Sequence, residues 1–148
     1  MATYTPRNPD FETVVRRSFA KQGFMTFMGA SLSRIVPGEV DIDLPNREEL
    51  SQQHGYFHAG ASVAIADSAA GYAALTLFNP GCEVLTTEYK VNLLAPAKGE
   101  KLVARGKVVK PGRTLTICQS DVVAIVDGRE SHDATALLTM MQIEGLEE

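Results

Sequence analysis

The longest apolar stretch of the chain runs from His54 to Phe78 and reads HGYFHAGASVAIADSAAGYAALTLF. After its histidines and glycines it consists mainly of Ala, Val, Ile, Leu and Tyr, with one carboxylate at Asp67. A helix that is apolar on every side must be buried all round, in a protein core or in a membrane. A carboxylate is costly at the centre of a bilayer, and the many Ala and Gly make this stretch weakly hydrophobic for a span. The pattern therefore predicts a central helix that other elements surround.

Shorter patterns precede this stretch. Asn8-Pro9-Asp10 is typical of a helix start, and the apolar residues after it recur at helical spacing, which predicts an amphipathic helix over about residues 8–22. From Phe24 to Val36 the pattern becomes strand-like, Pro37-Gly38 is typical of a turn, and apolar residues then alternate with acidic ones. This alternation predicts a hairpin with one solvent-exposed face, followed by a polar loop from Pro45 to Phe57.

Strand patterns fill the rest of the chain. Asn79-Pro80-Gly81 is a strong stop signal for the central helix, and turns bound the later apolar runs. The predicted strands are 84–94, 101–109, 115–126 and 130–143. A helix, two strands, a long helix and further strands predict an α+β fold with an antiparallel sheet. Because one sheet that wraps one apolar helix accounts for both patterns, we expect a single domain over residues 1–148, with its core over about 25–143.

Composition and charge narrow the class of protein. The 148 residues are 45% hydrophobic and 22% charged, which is ordinary for a globular domain. A net charge of −4 gives no basic surface for nucleic acid, and no basic run suggests a membrane surface. Cys82 and Cys118 are too few for a disulfide framework and fit buried thiols in a reducing compartment. The N-terminal residues lack the apolar core of a secretory signal. We therefore expect a cytoplasmic enzyme or binding protein that contacts neither nucleic acid nor membrane.

Three segments resemble one known family. HGYFHAGASVAIAD, TEYKVNLLAPAKGE and KPGRTLT are similar to the PaaI-like hotdog-fold thioesterases of the phenylacetate pathway, and the similarity extends over about residues 25–142. The resemblance implies a hotdog fold, in which an antiparallel sheet wraps a long central helix, and hydrolysis of an acyl-CoA without a metal or redox cofactor. It also implies pairing of subunits as a homodimer or homotetramer. The turn that ends at Arg113 resembles the one that contacts the nucleotide end of coenzyme A in relatives.

The resemblance also implies site residues, position by position. The family has a Gln or Asn six residues before a His and an acid nine residues after it, which correspond to Gln52, His58 and Asp67. A Ser or Thr near the start of the next strand corresponds to Thr86. The residue after the His is usually Gly in this family and is Ala59 here, which keeps the backbone N–H.

These residues also make chemical sense without the family. Ala59 and Gly60 open the predicted helix, so we expect free N–H groups at its positive end, able to polarise a thioester carbonyl and hold the oxyanion. Asp67 can act as a general base on water or attack the carbonyl directly, and the sequence leaves both roles open. Burial in an apolar helix should raise the pKa of Asp67. Gln52 is a candidate for orienting the water or the carbonyl, and His58 for positioning the loop and the substrate.

The spacing of His58 and Asp67 predicts where the site is assembled. Nine residues of helix turn through about 900° and span about 13 Å, so the two side chains should point to opposite sides. They then cannot readily share a site within one subunit, but two central helices that lie antiparallel across a two-fold axis can bring them together. The residues expected on the face of Asp67, where a partner can approach closely, are Val63, Ala64, Ala70 and Gly71.

Other interpretations stay open at this point. His54 and His58 are spaced to ligate a metal with His132 as a third ligand, although Gly55 and the expected loop conformation argue against such a site. The chain can be a non-catalytic acyl-CoA-binding module of the same fold, although a binder has no need of a carboxylate in the helix. It can also be an enoyl-CoA hydratase of this fold, although the usual spacing of acid and His in those enzymes is absent.

Overall fold

The computed structural model describes residues 3–146. Its helices are α1 (Phe11–Lys21), α2 (Gly23–Met28) and α3 (Ala59–Leu75), with a 3-10 turn at Glu48–Leu50. Its strands are β1 (Ser31–Val36), β2 (Glu39–Pro45), β3 (Cys82–Leu93), β4 (Lys101–Lys110), β5 (Leu115–Val126) and β6 (Arg129–Glu144).

The strands form one antiparallel sheet in the order β1-β2-β4-β5-β6-β3, so β1 and β3 are its edges. The sheet wraps α3, which packs against every strand from β2 to β6, and the apolar core lies between them. The sheet approaches the helix very closely at Gly106 of β4, where a Cβ atom would lie only 2.3 Å from the backbone of Ala69. This is the hotdog arrangement, and the predicted α+β fold is confirmed.

Most predicted elements agree closely with the structure. Each of the last four strands begins and ends within two residues of its predicted bounds, because turns with Pro or Gly separate them clearly. The hairpin turn at Pro37-Gly38 is present, with Gly38 at a φ of 81°, which favours glycine. The N-terminal helix is slightly shorter than the predicted 8–22, because the backbone N–H of Asp10 bonds to the Asn8 side chain in the preceding turn.

The strand pattern predicted from Phe24 to Val36 is wrong in its first half. Gly23–Met28 forms the short helix α2, and only Ser31–Val36 is a strand. Met25 and Met28 are three residues apart and both buried, so the spacing is helical. Gly29 ends the helix in the left-handed conformation, with its N–H bonded to the carbonyls of Met25 and Thr26.

The central helix has a side that the other residues within 3–146 do not cover. α3 occupies 17 residues of the apolar stretch 54–78, after the loop that was predicted to end at Phe57, and its stripe of incompletely buried residues repeats every three or four positions. That stripe consists of Ala59, Gly60, Val63, Ala64, Asp67 and Ser68. Ala70, expected beside Asp67, instead packs against the sheet with none of its surface exposed. A helix that is apolar all round thus keeps one side uncovered in the single chain.

Candidate active site

A tight loop leads into α3 and presents the first group of predicted site residues. The N–H of Gln52 donates to the carbonyl of Tyr56 over 2.8 Å, and the N–H of His58 donates to the carbonyl of Leu50 over 2.8 Å. Gly55 turns the loop at a φ of 82°. These backbone bonds bring Gln52 and the start of α3 to the same side of the molecule.

His58 is the N-cap of α3 and not part of the helix. Its backbone is extended (φ −61°, ψ 137°), and its Nδ1 accepts a 2.8 Å hydrogen bond from the N–H of Gly60. A ring nitrogen that accepts is unprotonated, so the bond orients the imidazole with its proton on Nε2. The expectation that the N–H of Gly60 is free is therefore wrong. The N–H of Ala59 has no partner among the described residues, as the first N–H groups of a helix usually do not.

Gln52 has a fixed orientation in this loop. Its side-chain oxygen Oε1 accepts a short hydrogen bond from the backbone N–H of His54. The amide nitrogen Nε2 is therefore the end of the side chain that can donate to another molecule. This arrangement suits a group that donates to a carbonyl oxygen.

A cavity of about 620 Å³ lies beside these groups. We call it the larger cavity; Gln52, Gln53, Tyr56, Phe57, His58, Ala59, Ser62, Leu93, Leu94, Ala95, Pro96, Ala97 and Asp133 line it. Its wall is mainly apolar with a few polar groups, as in most small-molecule sites. Sequence reasoning missed Ser62 and Asp133 as residues of this wall.

Asp67 and Thr86 meet about two turns further along α3 than Ala59. Thr86 Oγ1 of β3 donates to Asp67 Oδ1 over 2.7 Å. Burial raises the pKa of Asp67, as predicted, and the hydrogen bond from Thr86 opposes part of that rise. A carboxyl with a raised pKa is a stronger base once it is ionised, which suits general-base catalysis.

Asp67 and Thr86 line a smaller cavity of about 230 Å³. A polar network from α1 extends along it: Gln22 Nε2 donates to the Tyr72 hydroxyl over 2.8 Å, and Ser68 Oγ donates to Gln22 Oε1 over 3.4 Å. Nothing in the sequence pattern indicated this network, because α1 and α3 are far apart along the chain.

The two cavities have no lining residue in common. Within one chain, Gln52, His58 and Ala59 are therefore separated from Asp67 and Thr86. The reason predicted for this separation needs correction. The rotation of about 900° between His58 and Asp67 assumed that His58 is helical, whereas α3 begins at Ala59. Measured from Ala59, the eight residues to Asp67 still span about 12 Å along the axis.

The remaining predicted site residue lies apart from both groups. Arg113 is exposed in the loop between β4 and β5 and lines neither cavity.

His132, the third ligand in the metal-site alternative, pairs through Nε2 with Asp121 Oδ1 at 3.3 Å. Within residues 3–146, no group of three or more His, Cys, Asp or Glu side chains is arranged to hold a metal ion. None of the described helices is long and apolar enough to cross a membrane.

Comparison with known proteins adds to this geometry. The Thioesterase superfamily matches residues 54–130. A thioesterase family protein from Silicibacter pomeroyi is 44% identical, with a TM-score of 0.90 over 91% of this chain and 99% of that one. The PaaI protein of E. coli, from the phenylacetic acid degradation operon, has a TM-score of 0.81 over 92% of this chain and 95% of its own, at 14% identity, which shows the fold alone. A relative from Halobacterium salinarum, provisionally named an esterase, is 28% identical over 123 residues, 80% of this chain and 81% of that one.

The superfamily match covers more than half of the chain and includes the loop from His54 onwards, the whole of α3 and the strand that carries Thr86. The Silicibacter pomeroyi protein supports the same assignment over nearly the full length. On these grounds the chain belongs to the thioesterase superfamily and has the hotdog fold.

Proposed function

We propose that this protein is an acyl-CoA thioesterase whose active sites form between two copies of the chain. The observation that carries the proposal is the division of the site: a carboxylate with a hydrogen-bonded Thr lines one cavity, and an N–H donor with a Gln amide lines the other. Each half has chemistry that thioester hydrolysis needs, and neither half is sufficient alone. Thioester hydrolysis itself is the chemistry of the superfamily.

The position of Val63 supports a two-fold arrangement. Val63 lies on the uncovered stripe of α3, four residues from Ala59 and four from Asp67. If two copies of α3 cross antiparallel with Val63 at the two-fold axis, each residue before Val63 lies against the residue equally far after it. Ala59 of one copy then lies against Asp67 of the other, and the reverse holds at a second site.

The exposed edge of strand β3 also supports pairing with a second copy of the chain. Leu85, Tyr89 and Leu93 of β3 are 49%, 53% and 55% exposed, and one side of the strand has no neighbour in the sheet. An exposed apolar edge strand is a ready surface for pairing with another strand. A second copy that pairs along β3 would also cover the stripe on α3. A dimer, alone or within a tetramer, is therefore part of the proposal.

In the proposed mechanism, the acyl carbonyl lies at the start of α3. The N–H of Ala59, at the positive end of the helix dipole, holds the oxyanion, and Gln52 Nε2 donates to the same oxygen or to the oxygen of the attacking water. Asp67 of the other copy takes a proton from the water as it attacks; the tetrahedral intermediate then breaks its C–S bond, and the coenzyme A thiolate leaves with that proton. In the alternative route Asp67 attacks the carbonyl itself, the thiolate leaves as the anhydride forms, and water then hydrolyses the anhydride. Thr86 holds Asp67 in place, and His58 holds the first turn of α3. Water and a carboxylate suffice for this reaction, so we propose no metal or redox cofactor.

The carrier is proposed to be coenzyme A, with Arg113 contacting its nucleotide end. The support for Arg113 is the family resemblance and its exposure, which leaves the guanidinium accessible to phosphate. The apolar wall of the larger cavity suits an aromatic or a short to medium aliphatic acyl group. We propose a cytoplasmic location, where such thioesters are made.

A thiol-release assay over aromatic and aliphatic acyl-CoAs tests the proposal. Cys82 and Cys118 are 4% and 0% exposed, so a thiol-reactive chromophore should report released coenzyme A against a low protein background. Release of thiol from at least one acyl-CoA, lost in Asp67→Asn, is the expected result. Binding without release would indicate a non-catalytic binder. Loss of the enoyl absorbance of crotonyl-CoA without thiol release would indicate a hydratase.

A further inference from the structure

Asp133 is a buried carboxylate that the proposed mechanism does not use. It is 2% exposed, yet it lines the larger cavity together with Ser62, which is 1% exposed. Ser62 Oγ donates to Asp133 Oδ2 over 2.6 Å. The other oxygen, Oδ1, has no hydrogen-bond donor among the described residues. Oδ1 is therefore the acceptor that Asp133 offers to a molecule in the cavity.

A β-bulge turns Asp133 towards the cavity. In β6 the buried residues have even numbers, from Ala134 to Met140, and an odd-numbered residue would face outwards. The register between β5 and β6 shifts here: Val122 pairs with Ala134 and Val123 pairs with His132, so Asp133 is the extra residue. Such bulges re-aim one side chain and are frequent beside active sites.

The backbone of Asp133 is also hydrogen-bonded to two other residues of the cavity wall. The carbonyl of Asp133 accepts hydrogen bonds from the N–H groups of Leu94 and Ala95, at 2.7 and 3.3 Å. Leu94 and Ala95 line the same cavity. The carboxylate is therefore held at a defined place by its own backbone and by Ser62.

Helix geometry relates this place to the thioester carbonyl. Ser62 is three residues after Ala59, one turn of α3, or about 4.5 Å along the axis. That is close to the distance between a carbonyl oxygen and a substituent on the second or third carbon of an acyl chain. The pantetheine arm must run outwards to solvent, whereas Ser62 and Asp133 are almost fully buried.

We propose that Asp133 and Ser62 form a recognition site for a hydrogen-bond donor, a hydroxyl or an ammonium group, on the second or third carbon of the acyl chain. The inference rests on the proposed acyl-CoA site but concerns which acyl group that site selects. Asp133 is then a specificity-determining residue. A carboxylate that accepts from the substrate favours it over an analogue without the donor, because that analogue displaces water from Oδ1 and returns no hydrogen bond.

Binding and turnover are measured separately. The binding probes are ketone analogues, in which a methylene group replaces the thioester sulfur, of butanoyl-CoA and of its 2-hydroxy, 3-hydroxy, 2-amino and 3-amino derivatives, each derivative as both enantiomers. Calorimetry should show at least one donor-bearing analogue bound about tenfold or more tightly than the plain one. Comparison of the hydroxy analogues with the amino analogues shows which of the two donors the site prefers. The same ratio in kcat/KM should appear with the corresponding thioesters.

Variants then separate recognition from folding. Asp133→Ala should reduce the preference to less than about threefold, and Ser62→Ala should weaken it, because Asp133 then loses its one side-chain partner. Asp121→Asn, on the neighbouring strand β5 and outside the cavity, should leave the preference unchanged. Proportional loss for all probes in Asp133→Ala would indicate a structural role or contact with pantetheine and would overturn the inference.

The wild-type protein alone already decides the question if the variants do not fold. Equal binding of the plain and donor-bearing analogues, or no binding of any, overturns the inference. Hydrolysis of butanoyl-CoA without discrimination overturns it and leaves the proposed function intact. A preference in binding that Asp133→Ala abolishes, without hydrolysis of any thioester, supports it and overturns the proposed function instead.

Discussion

Thr86 Oγ1 donates to Asp67 Oδ1 over 2.7 Å, which joins strand β3 to the uncovered side of the central helix. This bond holds a half-buried carboxylate at the surface where a second copy is proposed to dock. Burial raises the pKa of Asp67 and the bond lowers it, so Thr86 both orients the carboxylate and keeps it easier to ionise.

Asp67→Asn should lower kcat by about a hundredfold or more, because it removes the general base or nucleophile while conserving side-chain volume. Thiol release under saturating acyl-CoA measures the effect. A loss of less than about tenfold would mean that Asp67 is not the catalytic group.

The stability of Asp67→Asn is the control for this experiment. Because the pKa of Asp67 is raised in the folded state, the folded wild type binds a proton more readily than the unfolded chain. Wild-type stability should therefore fall as the pH rises from the unfolded pKa through the folded one. The asparagine side chain does not titrate in this range, so the variant lacks this loss of stability. The Tm of the variant minus the Tm of the wild type should therefore increase from acidic to neutral pH.

Thr86→Val should move the acid limb of the pH profile of kcat/KM to higher pH, because Asp67 loses the bond that lowers its pKa. Activity at neutral pH should fall by about tenfold, as expected for a lost hydrogen bond to a charged group. Thr86→Ser keeps the hydroxyl and should leave the limb in place. An unchanged profile in the Val variant would show that Thr86 does not act on Asp67.

Ala59→Pro should abolish hydrolysis because it removes the N–H that is proposed to hold the oxyanion. The first position of a helix tolerates proline, and the extended backbone of His58 (φ −61°, ψ 137°) suits a residue before proline, so the fold should survive. Ala59→Gly keeps the N–H and should remain within a few-fold of wild type. A Pro variant that folds and hydrolyses normally would rule out the Ala59 oxyanion site.

His58→Ala should lower the free energy of unfolding by about 1 kcal/mol, as for the loss of other N-caps, and should also reduce kcat/KM. His58→Asn should restore both, because Asn is a good N-cap but cannot act as a base at neutral pH. Urea denaturation and initial rates provide the two measurements. If Asn restores stability but not activity, His58 has a direct chemical role.

A mixture of two inactive variants should recover activity if the site is shared. Gln52→Ala and Asp67→Asn, unfolded and refolded together in equal amounts, should form about half mixed dimers, each with one intact site and one doubly altered site. About a quarter of all sites are then intact. Tags of different size confirm the exchange of subunits. A mixture that exchanges and stays as inactive as its parents would place the whole site within one chain.

The elements that sequence reasoning found are those with long or sharply bounded patterns. The later strands have Pro or Gly turns between them, and the polarity of Asp67 is conspicuous because its neighbours are small and apolar. The short helix α2 was mistaken for a strand because Met25 and Met28 give it only one helical repeat. The capping role of His58 was missed because Ser, Thr, Asp and Asn are the usual N-caps. The alternation of apolar and polar residues along β6 does not reveal Asp133. The bulge turns its side chain to the opposite face of the strand from the one that its position in the alternation predicts.

The apolar edge of β3 has a consequence for how the protein must be handled and made. In the proposed dimer, a chain that loses its partner would expose Leu85, Tyr89 and Leu93 together with a row of unpaired backbone groups. Such an edge joins any compatible strand, so the separated chain should aggregate and not persist as a stable monomer. We therefore expect activity lost on extreme dilution to return poorly on reconcentration. For the same reason, newly made chains should need a second copy to cover this edge before they are stable.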